Sequence, residues 1–119
     1  DLHGHQAGDR LLVETASLFV RSFRENVDSV FRYGGDEFVA LLPHLPAAQA
    51  LSVAERIREK FKQLGFEPTS LSIGIASFIQ KLGSIDQDIQ DMILRADAAL
   101  YHAKQSCGKN TVYVDALSR

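Results

Sequence analysis

RYGGDEFVALL, residues 32–42, places two glycines and two acids between two runs of apolar residues. Residues 30–32 and 38–42 are rich in β-branched and aromatic side chains, and the glycines between them are typical of a tight turn, so the stretch predicts a β-hairpin. Gly34 and Gly35 can adopt positive φ at no steric cost, and they leave backbone N–H groups uncovered. A ligand can therefore come close to the chain at this turn.

Asp36 and Glu37 follow the glycines directly, and residue types alone leave two interpretations of them open. Successive strand residues point to opposite faces, so only one of the two carboxylates needs to face a ligand. Mg²⁺ takes one or two carboxylates, with phosphate oxygens and water as its other ligands, so the turn suits a Mg²⁺-bound phosphate. In a plain hairpin, Asp36 caps the turn and Glu37 is solvated. Glycine and aspartate are common in turns, which favours this second interpretation.

The whole chain has the composition of one ordinary soluble domain. It has 119 residues, 45% of them hydrophobic and 24% charged, with a formal net charge of −2, and this length predicts a single domain. There is no basic excess of the kind that indicates nucleic-acid binding, and no apolar run is long enough to cross a membrane. The single cysteine, Cys107, excludes an internal disulfide. The chain begins at Asp1 without a methionine, so we expect it to be a piece of a longer protein.

Changes in hydrophobic periodicity divide the chain into helices and strands. The predicted elements, in order, are a helix over 9–24, the hairpin, a helix that Pro46 starts and Gly65 ends, a strand over 69–78, a helix over 88–106 and a strand over 111–114. A hairpin in the middle of this order argues against a purely parallel, doubly wound sheet. It favours an α+β sandwich, with an antiparallel or mixed sheet and its helices packed on one face.

Two patterns within these elements predict how they pack. Gly74 interrupts an alternating strand, which marks a bulge or a close approach of another backbone. The last helix carries its apolar residues on one stripe, as the inward side of an amphipathic helix does. The members of that stripe are Ile89, Ile93, Ala96, Leu100 and Ala103.

Four motifs, in a fixed order, make the chain similar to a known family. GHQAGD (4–9) resembles that family's GHxxGD segment, GGDEF (34–38) is intact within RYGGDEF, SIGIA (72–76) resembles its SIG strand, and RADAALYHAK (95–104) resembles its ADxALYxAK helix. The chain thus resembles the GGDEF family of diguanylate cyclases over nearly its whole length. The resemblance implies a fold like the nucleotidyl-cyclase palm (ferredoxin-like), with the GGDEF turn at the active edge of a central antiparallel sheet.

The resemblance also implies an activity and its partners. Each domain of the family binds one GTP, and two domains meet head to head, as a homodimer, so that each 3′-hydroxyl attacks the other α-phosphate and cyclic di-GMP forms. The implied cofactor is Mg²⁺ (or Mn²⁺). Such domains follow sensor domains, are typically bacterial and are cytoplasmic, in parent proteins that include membrane-anchored ones. No contact of this segment with nucleic acid or membrane is implied.

Around the turn, the resemblance assigns roles to four residues. Asp36 ligates the metal and helps to deprotonate the attacking hydroxyl. Glu37 supports the same site. Gly34 and Gly35 let the nucleotide lie against the backbone.

Away from the turn, three further residues are assigned to GTP. Asp9 matches the acid that accepts hydrogen bonds from guanine, although an acid near a helix N-terminus is also favoured by the helix dipole. Lys104 matches a phosphate-binding lysine, and its alternative is a plain lysine in the last turn of a helix. Lys109 of GKN (108–110) stands where the family has arginine. A lysine cannot bind phosphate bidentately, and three residues rather than two precede GKN, which weakens this assignment.

The sequence departs from the family in two other ways. In the family, a strand before the position of Asp1 carries the first metal aspartate and a guanine-reading asparagine. We therefore interpret residues 1–119 as a single, N-terminally truncated GGDEF domain, with an unpaired sheet edge and little or no activity alone. The family's inhibitory RxxD motif is partial, because Asp28 is in place while Glu25 stands where the arginine belongs and Arg24 is one position off. We predict that this inhibitory site is non-functional.

Two other functions stay open. One is a non-catalytic GGDEF module that binds GTP, cyclic di-GMP or a partner domain. The altered GKN segment and the absent strand favour it, whereas the intact Asp36 favours the enzyme. The other is a structural dimerisation domain.

Overall fold

The computed structural model describes residues 2–34, 37–81, 83–105 and 110–119, with side chains from Gly8 onward. Its elements are α1 (Leu2–Ser22), β1 (Ser29–Gly34), β2 (Glu37–Leu41), α2 (Ala47–Gln63), β3 (Ile73–Ile75), α3 (Ile85–Gln105), β4 (Val112–Val114) and a 3₁₀ turn (Ala116–Ser118). The order of helices and strands is the predicted one, and the α+β class is confirmed. None of the helices in the described part of the chain is long and apolar enough to cross a membrane.

The first helix starts earlier than its sequence pattern indicated. α1 begins at Leu2, so GHQAGD lies within it rather than before it. Gly4 and Gly8 are poor helix formers, and they masked this start. Two hydroxyls bond back to carbonyl oxygens one turn earlier, those of Thr15 to Leu11 and of Ser22 to Leu18, both at 2.6 Å. After Ser22 the chain reverses, with Asn26 at a positive φ of 63°.

The predicted hairpin is confirmed. β1 and β2 pair antiparallel from Ser29↔Leu41 through Arg32↔Phe38, and a register shift then leads to Gly34↔Glu37. The shift leaves Tyr33 without a cross-strand partner, which is a β-bulge next to the turn. The Phe38 ring meets the Phe19 ring of α1 edge-on, with 5.0 Å between centroids. This contact packs the hairpin against the first helix.

The main core lies between α1 and α2. Leu18, Ile57 and Phe61 are buried at its centre, and Phe66 and Leu71 from the connection after α2 pack against them. The apolar residues at helical spacing in this part of the sequence (Ala50, Val53, Ala54, Ile57, Phe61 and Leu64) predict one inward face, and the buried residues of α2 all belong to it: Ala50, Ala54, Ile57 and Phe61. Gly65 ends the helix as predicted, with φ at 79° and its N–H donating to Lys62 O.

β3 and β4 form a separate, parallel pair that extends from Ile73↔Val112 to Ile75↔Val114. β3 is therefore only three residues long, much shorter than the predicted strand over 69–78. Gly74 is the predicted close approach: a Cβ placed there would collide with the Leu100 backbone nitrogen and lie 2.5 Å from Ala96 O. The strand thus passes directly against the backbone of α3.

This contact also places the helices on both sides of the pair. Gly74 faces α3, so Ile73 and Ile75 point to the opposite face, as does Leu71, which packs on the α1–α2 core. The expectation that all helices pack on one face is therefore wrong. The reason is that Gly74 has no side chain and so lets α3 pack on one face of β3, while Ile73 and Ile75 supply apolar side chains on the other.

The two strand pairs do not join within the described residues. β2 pairs only with β1, and β3 pairs only with β4. The truncation of the domain at its first strand stays a prediction. The inward stripe of α3 is also only partly covered, because the short β3 reaches the helix at Ala96 and Leu100. Ala103 is fully buried, whereas Ile89 and Ile93 remain 38% and 48% exposed, so the stripe prediction is wrong for its first half.

Candidate functional site

The tip of the hairpin is the first part of the site. Gly34 ends β1 and Glu37 begins β2, and the two are paired across the strands. The turn residues Gly35 and Asp36 lie outside the described residues. A Cβ added at Gly34 would meet no atom of the described residues within 4 Å, so among these residues the space beside this backbone is open. Glu37 is half-buried at the start of β2.

The path of α1 brings Asp9 to the same end of the fold. After α1 the chain reverses over residues 23–28, and β1 runs back along the helix, since side chains of both line one apolar groove. Gly34 therefore lies toward the end where α1 begins, which is also the end that carries Asp9. Asp9 is exposed, and it lies beyond the first turn of α1, which contains no acid. Because the helix dipole acts mainly within the first turn, that explanation for Asp9 does not apply.

Lys104 lies in the last turn of α3 and is half-buried. Because β3 and β4 are parallel and α3 connects them, the helix ends where β4 begins. The residue before it, Ala103, is fully buried, and this burial holds the last turn of α3 against the domain. Lys109 lies outside the described residues, and Asn110 follows it at a positive φ of 48°.

A contact between α1 and the connection after α2 links these two parts of the site. The Arg10 guanidinium lies over the Phe66 ring, 5.0 Å from its centroid. Phe66 lies between the end of α2 and the start of β3, so the first half of α1 stands near the amino ends of β3 and β4. Four described residues of the predicted site, Asp9, Gly34, Glu37 and Lys104, thus belong to one end of the fold. Sequence reasoning missed Arg10, because no local pattern indicates a contact with a residue so far along the chain.

Asp28 lies at the opposite end, where an ion pair closes the reversal after α1. Its carboxylate accepts hydrogen bonds from Arg24 Nη2 at 2.7 Å and from the Arg24 backbone N–H at 2.7 Å, and its side chain is only 3% exposed. Arg24 Nη2 also donates to Pro43 O, just after β2, at 2.8 Å. The hydrogen bond from the Arg24 side chain holds the pKa of Asp28 below its ordinary value of 3.8. The arginine that stands one position away from the inhibitory pattern is therefore the internal partner of Asp28.

Metal-binding capacity within the described residues is limited. No group of three or more His, Cys, Asp or Glu side chains among them could hold a metal ion. Mg²⁺ in nucleotide sites needs only one or two protein carboxylates together with phosphate oxygens. The adjacent acids at the turn, Asp36 and Glu37, fit that donor set, with Glu37 half-buried beside the open backbone of Gly34.

Comparison with known proteins identifies the family. The sequence model of the family described as "Diguanylate cyclase, GGDEF domain" matches residues 1–110. The chain belongs to the GGDEF family. This confirms the resemblance that the four ordered motifs indicated.

Two curated relatives are similar to this GGDEF domain along most of its length. Diguanylate cyclase A of Treponema denticola is 37% identical over 118 residues, and diguanylate cyclase DgcM of Escherichia coli K12 is 39% identical over 115 residues. Each alignment covers 94% of this chain, but only 30% and 26% of the two relatives. The GGDEF domain is thus homologous to diguanylate cyclases and spans less than a third of the length of these two.

A solved structure supports the fold assignment. The active GGEEF domain of a diguanylate cyclase from Vibrio cholerae superimposes with a TM-score of 0.73 at 32% sequence identity, covering 93% of this chain and 70% of that one. The palm-like fold implied by the sequence is therefore confirmed.

Proposed function

We propose that this GGDEF domain is the catalytic domain of a diguanylate cyclase, which condenses two molecules of GTP into cyclic di-GMP. The observation that carries the proposal is the path of the chain: α1 and β1 line one groove, so that Asp9 and Gly34 lie toward the same end of the fold, and Arg10, next to Asp9, contacts Phe66 in the segment that leads to β3. A nucleotide has a base at one end and phosphates at the other. Asp9 offers a carboxylate to the base. Lys104 offers an ammonium group to the phosphates, and the backbone at Gly34 leaves room for them.

Each side chain has a chemistry that suits its part of GTP. The Asp9 carboxylate accepts hydrogen bonds from the N1–H and N2–H₂ donors of guanine, and its exposure on α1 leaves it accessible. Lys104 contributes an ammonium group to the phosphates as a flexible point charge. The absence of a side chain at Gly34 and Gly35 lets phosphate oxygens approach the backbone of the turn. Lys109 adds a second cation, without the bidentate geometry of an arginine.

Asp36 is the residue we assign to the metal, with Glu37 in support. Mg²⁺ (or Mn²⁺), when bound, neutralises phosphate charge and orients the reacting phosphate. We also assign Asp36 the role of helping to deprotonate the attacking hydroxyl. Its neighbour Glu37 adds negative charge to the same turn and favours binding of a cation there.

The reaction requires two domains. The 3′-hydroxyl oxygen of one GTP forms a bond to the α-phosphorus of the other, the bond from that phosphorus to pyrophosphate breaks, and the hydroxyl proton is taken up by a base. Repeating the step in the other direction closes the ring and releases a second pyrophosphate. One domain holds one GTP, so we propose that two copies pair as a homodimer, controlled by an upstream sensor domain in a cytoplasmic location. Inhibition by the product through Asp28 is not expected, because Arg24 already satisfies that carboxylate.

A second candidate is a GGDEF module that binds GTP, cyclic di-GMP or a partner domain without catalysis. Two observations favour it. In the described part of the chain the β1–β2 and β3–β4 pairs do not join into one sheet, and position 109 is a lysine where the family has arginine. In this form of the proposal the site binds a nucleotide and the acids of the turn have no catalytic role.

Synthesis of cyclic di-GMP by the full-length protein distinguishes the two. We expect conversion of GTP with Mg²⁺ present, and a loss of at least about 100-fold on Asp36→Ala, the range for removing a group that stabilises transition-state charge. Asp97→Ala is the matched control, since Asp97 is an exposed acid on α3 away from the turn. GTP binding without synthesis would favour the non-catalytic module. For residues 1–119 alone we expect little or no product.

A further inference from the structure

Arg58, on α2, makes a long-range contact to the segment that follows α3. Its Nε and Nη2 atoms donate to Glu55 Oε2 at 3.1 and 2.8 Å, one helical turn away. Its Nη1 atom lies 3.4 Å from both the carbonyl oxygen and the side-chain Oδ1 of Asn110. The guanidinium thus uses one edge to hold its own helix and another to hold a residue 52 positions further along the chain.

Asn110 has an uncommon backbone conformation, although asparagine adopts it more readily than most residues. Its φ of 48° lies in the left-handed region, which is disfavoured for residues other than glycine. Conformations of this kind persist where surrounding contacts hold them. Asn110 also stands directly before the segment that starts β4, where Thr111 O accepts a hydrogen bond from Ile73 N at 3.0 Å.

The position of Asn110 connects this contact to the proposed nucleotide site. Asn110 lines a cleft of about 340 Å³ together with Lys62, Thr69 and Ser70, at the amino ends of β3 and β4. It is the residue immediately after Lys109 in the sequence. The last turn of α3, which carries Lys104, also lies at the end where β4 begins, so Asn110 lies at the same end of the sheet as this proposed phosphate ligand.

We propose that Arg58 is a positioning residue for the nucleotide site, which acts by fixing Asn110 at the start of β4. The inference rests on the proposed function, since it assigns Arg58 an effect on GTP. Glu55 holds the guanidinium plane, and Nη1 presents its hydrogen toward both oxygens of Asn110. A lysine at this position has no fork with which to serve both partners at once.

Arg56 provides the matched control. It lies on the same helix, carries the same charge and is exposed. Removing it changes the net charge of the domain by the same amount as removing Arg58, without breaking a contact to Asn110. A difference between the two variants therefore reports the contact rather than the charge.

The test compares Arg58→Ala, Arg58→Lys and Arg56→Ala in the full-length protein. We expect KM for GTP to rise about three- to tenfold for both Arg58 variants, which corresponds to the loss of about one net hydrogen bond, with kcat changed less than KM. Amide hydrogen exchange at Thr111 and Val112 should accelerate in both. Arg56→Ala should match the wild type in both measurements.

The exchange measurement separates failure of this inference from failure of the proposed function. If the wild type turns over GTP while Arg58→Ala behaves as Arg56→Ala does, the inference is wrong and the proposed function stands. If exchange accelerates selectively in the Arg58 variants but no variant binds or converts GTP, the contact is structural and both the proposed function and this inference fail. Should Arg58→Ala lose its fold, Asn110→Ala takes its place, and unchanged KM and exchange in that variant would overturn the inference.

Discussion

The two ends of this GGDEF domain differ in what happens to their charged side chains. At the end that carries the hairpin tip, Asp9 is exposed and Lys104 and Glu37 are half-buried. At the other end, arginines are committed to internal partners: Arg24 binds Asp28 and Pro43 O, and Arg95 binds several groups at once. The first end therefore offers charge to a ligand, beside the internal contacts of Arg58 with Glu55 and Asn110, while at the other end the arginines hold the frame.

At the end that holds the frame, the Arg95 side chain joins several elements through hydrogen bonds. Arg95 Nε donates to Asp91 Oδ2 at 2.9 Å, Nη1 to Asp115 Oδ2 at 3.0 Å, and Nη2 to the Ser77 carbonyl oxygen at 2.6 Å. The side chain is only 10% exposed. It joins α3 to the carboxyl ends of β3 and β4. The difference between the ends teaches that stability and ligand binding can be changed separately in this domain.

The largest effect on stability is expected from Gly74→Ala, in the part of the frame that both ends share. The added methyl would collide with the backbone of α3 at Ala96 and Leu100, and a helix backbone cannot move aside as a flexible side chain can. We expect a loss of about 3 kcal/mol or more in unfolding free energy, at the upper end of the range for overpacking. Denaturant unfolding measures it. The control is Gly8→Ala, where an added Cβ meets no described atom within 4 Å and a gain of about 0.5–1 kcal/mol is expected in a helix. Similar changes at both positions would contradict the close approach at Gly74.

The second largest effect on unfolding free energy is expected from Arg95→Ala, at the end where arginines hold the frame. The substitution leaves Asp115 without this cation and the Ser77 carbonyl without its donor, while Asp91 keeps only its ion pair with Lys81. We expect the unfolding free energy to fall by about 2–3 kcal/mol, because removing one member of a largely buried charged network leaves the remaining buried groups without their partner. Arg56→Ala, an exposed arginine on α2, should stay within about 0.5 kcal/mol of the wild type. Equal effects of the two would mean that the network adds nothing.

A smaller effect, dependent on pH, is expected at Asp28. Its folded pKa is depressed below 3.8 by the hydrogen bond from Arg24, so its contribution to stability is present above that value and is lost as pH falls through the lower folded pKa. Unfolding free energy measured between about pH 5 and pH 2 should fall more steeply for the wild type than for Asp28→Asn. Parallel curves for the two proteins would show that the ion pair does not stabilise the folded state.

The smallest effect on stability is expected at the open end. Asp9→Asn removes an exposed carboxylate that lies outside the first turn of α1, so unfolding free energy should change by no more than about 0.5 kcal/mol. The same change should weaken GTP binding by the full-length protein, because an amide cannot accept both guanine donors as a carboxylate can. A large loss of unfolding free energy with unchanged GTP affinity would show that Asp9 stabilises the fold and does not bind GTP.

Local patterns predicted much of this fold. The hairpin, the buried face of α2, the stop at Gly65 and the close approach at Gly74 all follow from short-range rules about periodicity and glycine. The start of α1 was missed because Gly4 and Gly8 weaken the helical pattern. The exposed half of the α3 stripe was missed because burial depends on what packs opposite, and β3 extends over only three residues.

The candidate site was predictable only in part, for a related reason. Asp9, Gly34, Glu37 and Lys104 were found because motifs mark them, and the structure adds that their elements reach one end of the fold. The contacts of Arg10 with Phe66 and of Arg58 with Asn110 join residues more than fifty positions apart. No local spacing encodes such pairs. The roles of Asp36, Gly35 and Lys109 stay predictions, as these residues lie outside the described part of the chain.

The central claim, that one end carries the chemistry and the other the frame, is tested most directly by one chemical change made at each end. Asp36→Asn and Asp28→Asn would be compared in the full-length protein for cyclic di-GMP synthesis and for unfolding free energy. The account predicts that Asp36→Asn loses synthesis and keeps its stability, while Asp28→Asn loses stability and keeps its synthesis under conditions where it is folded. Full synthesis by Asp36→Asn, or a loss of synthesis in folded Asp28→Asn as large as in Asp36→Asn, would contradict it.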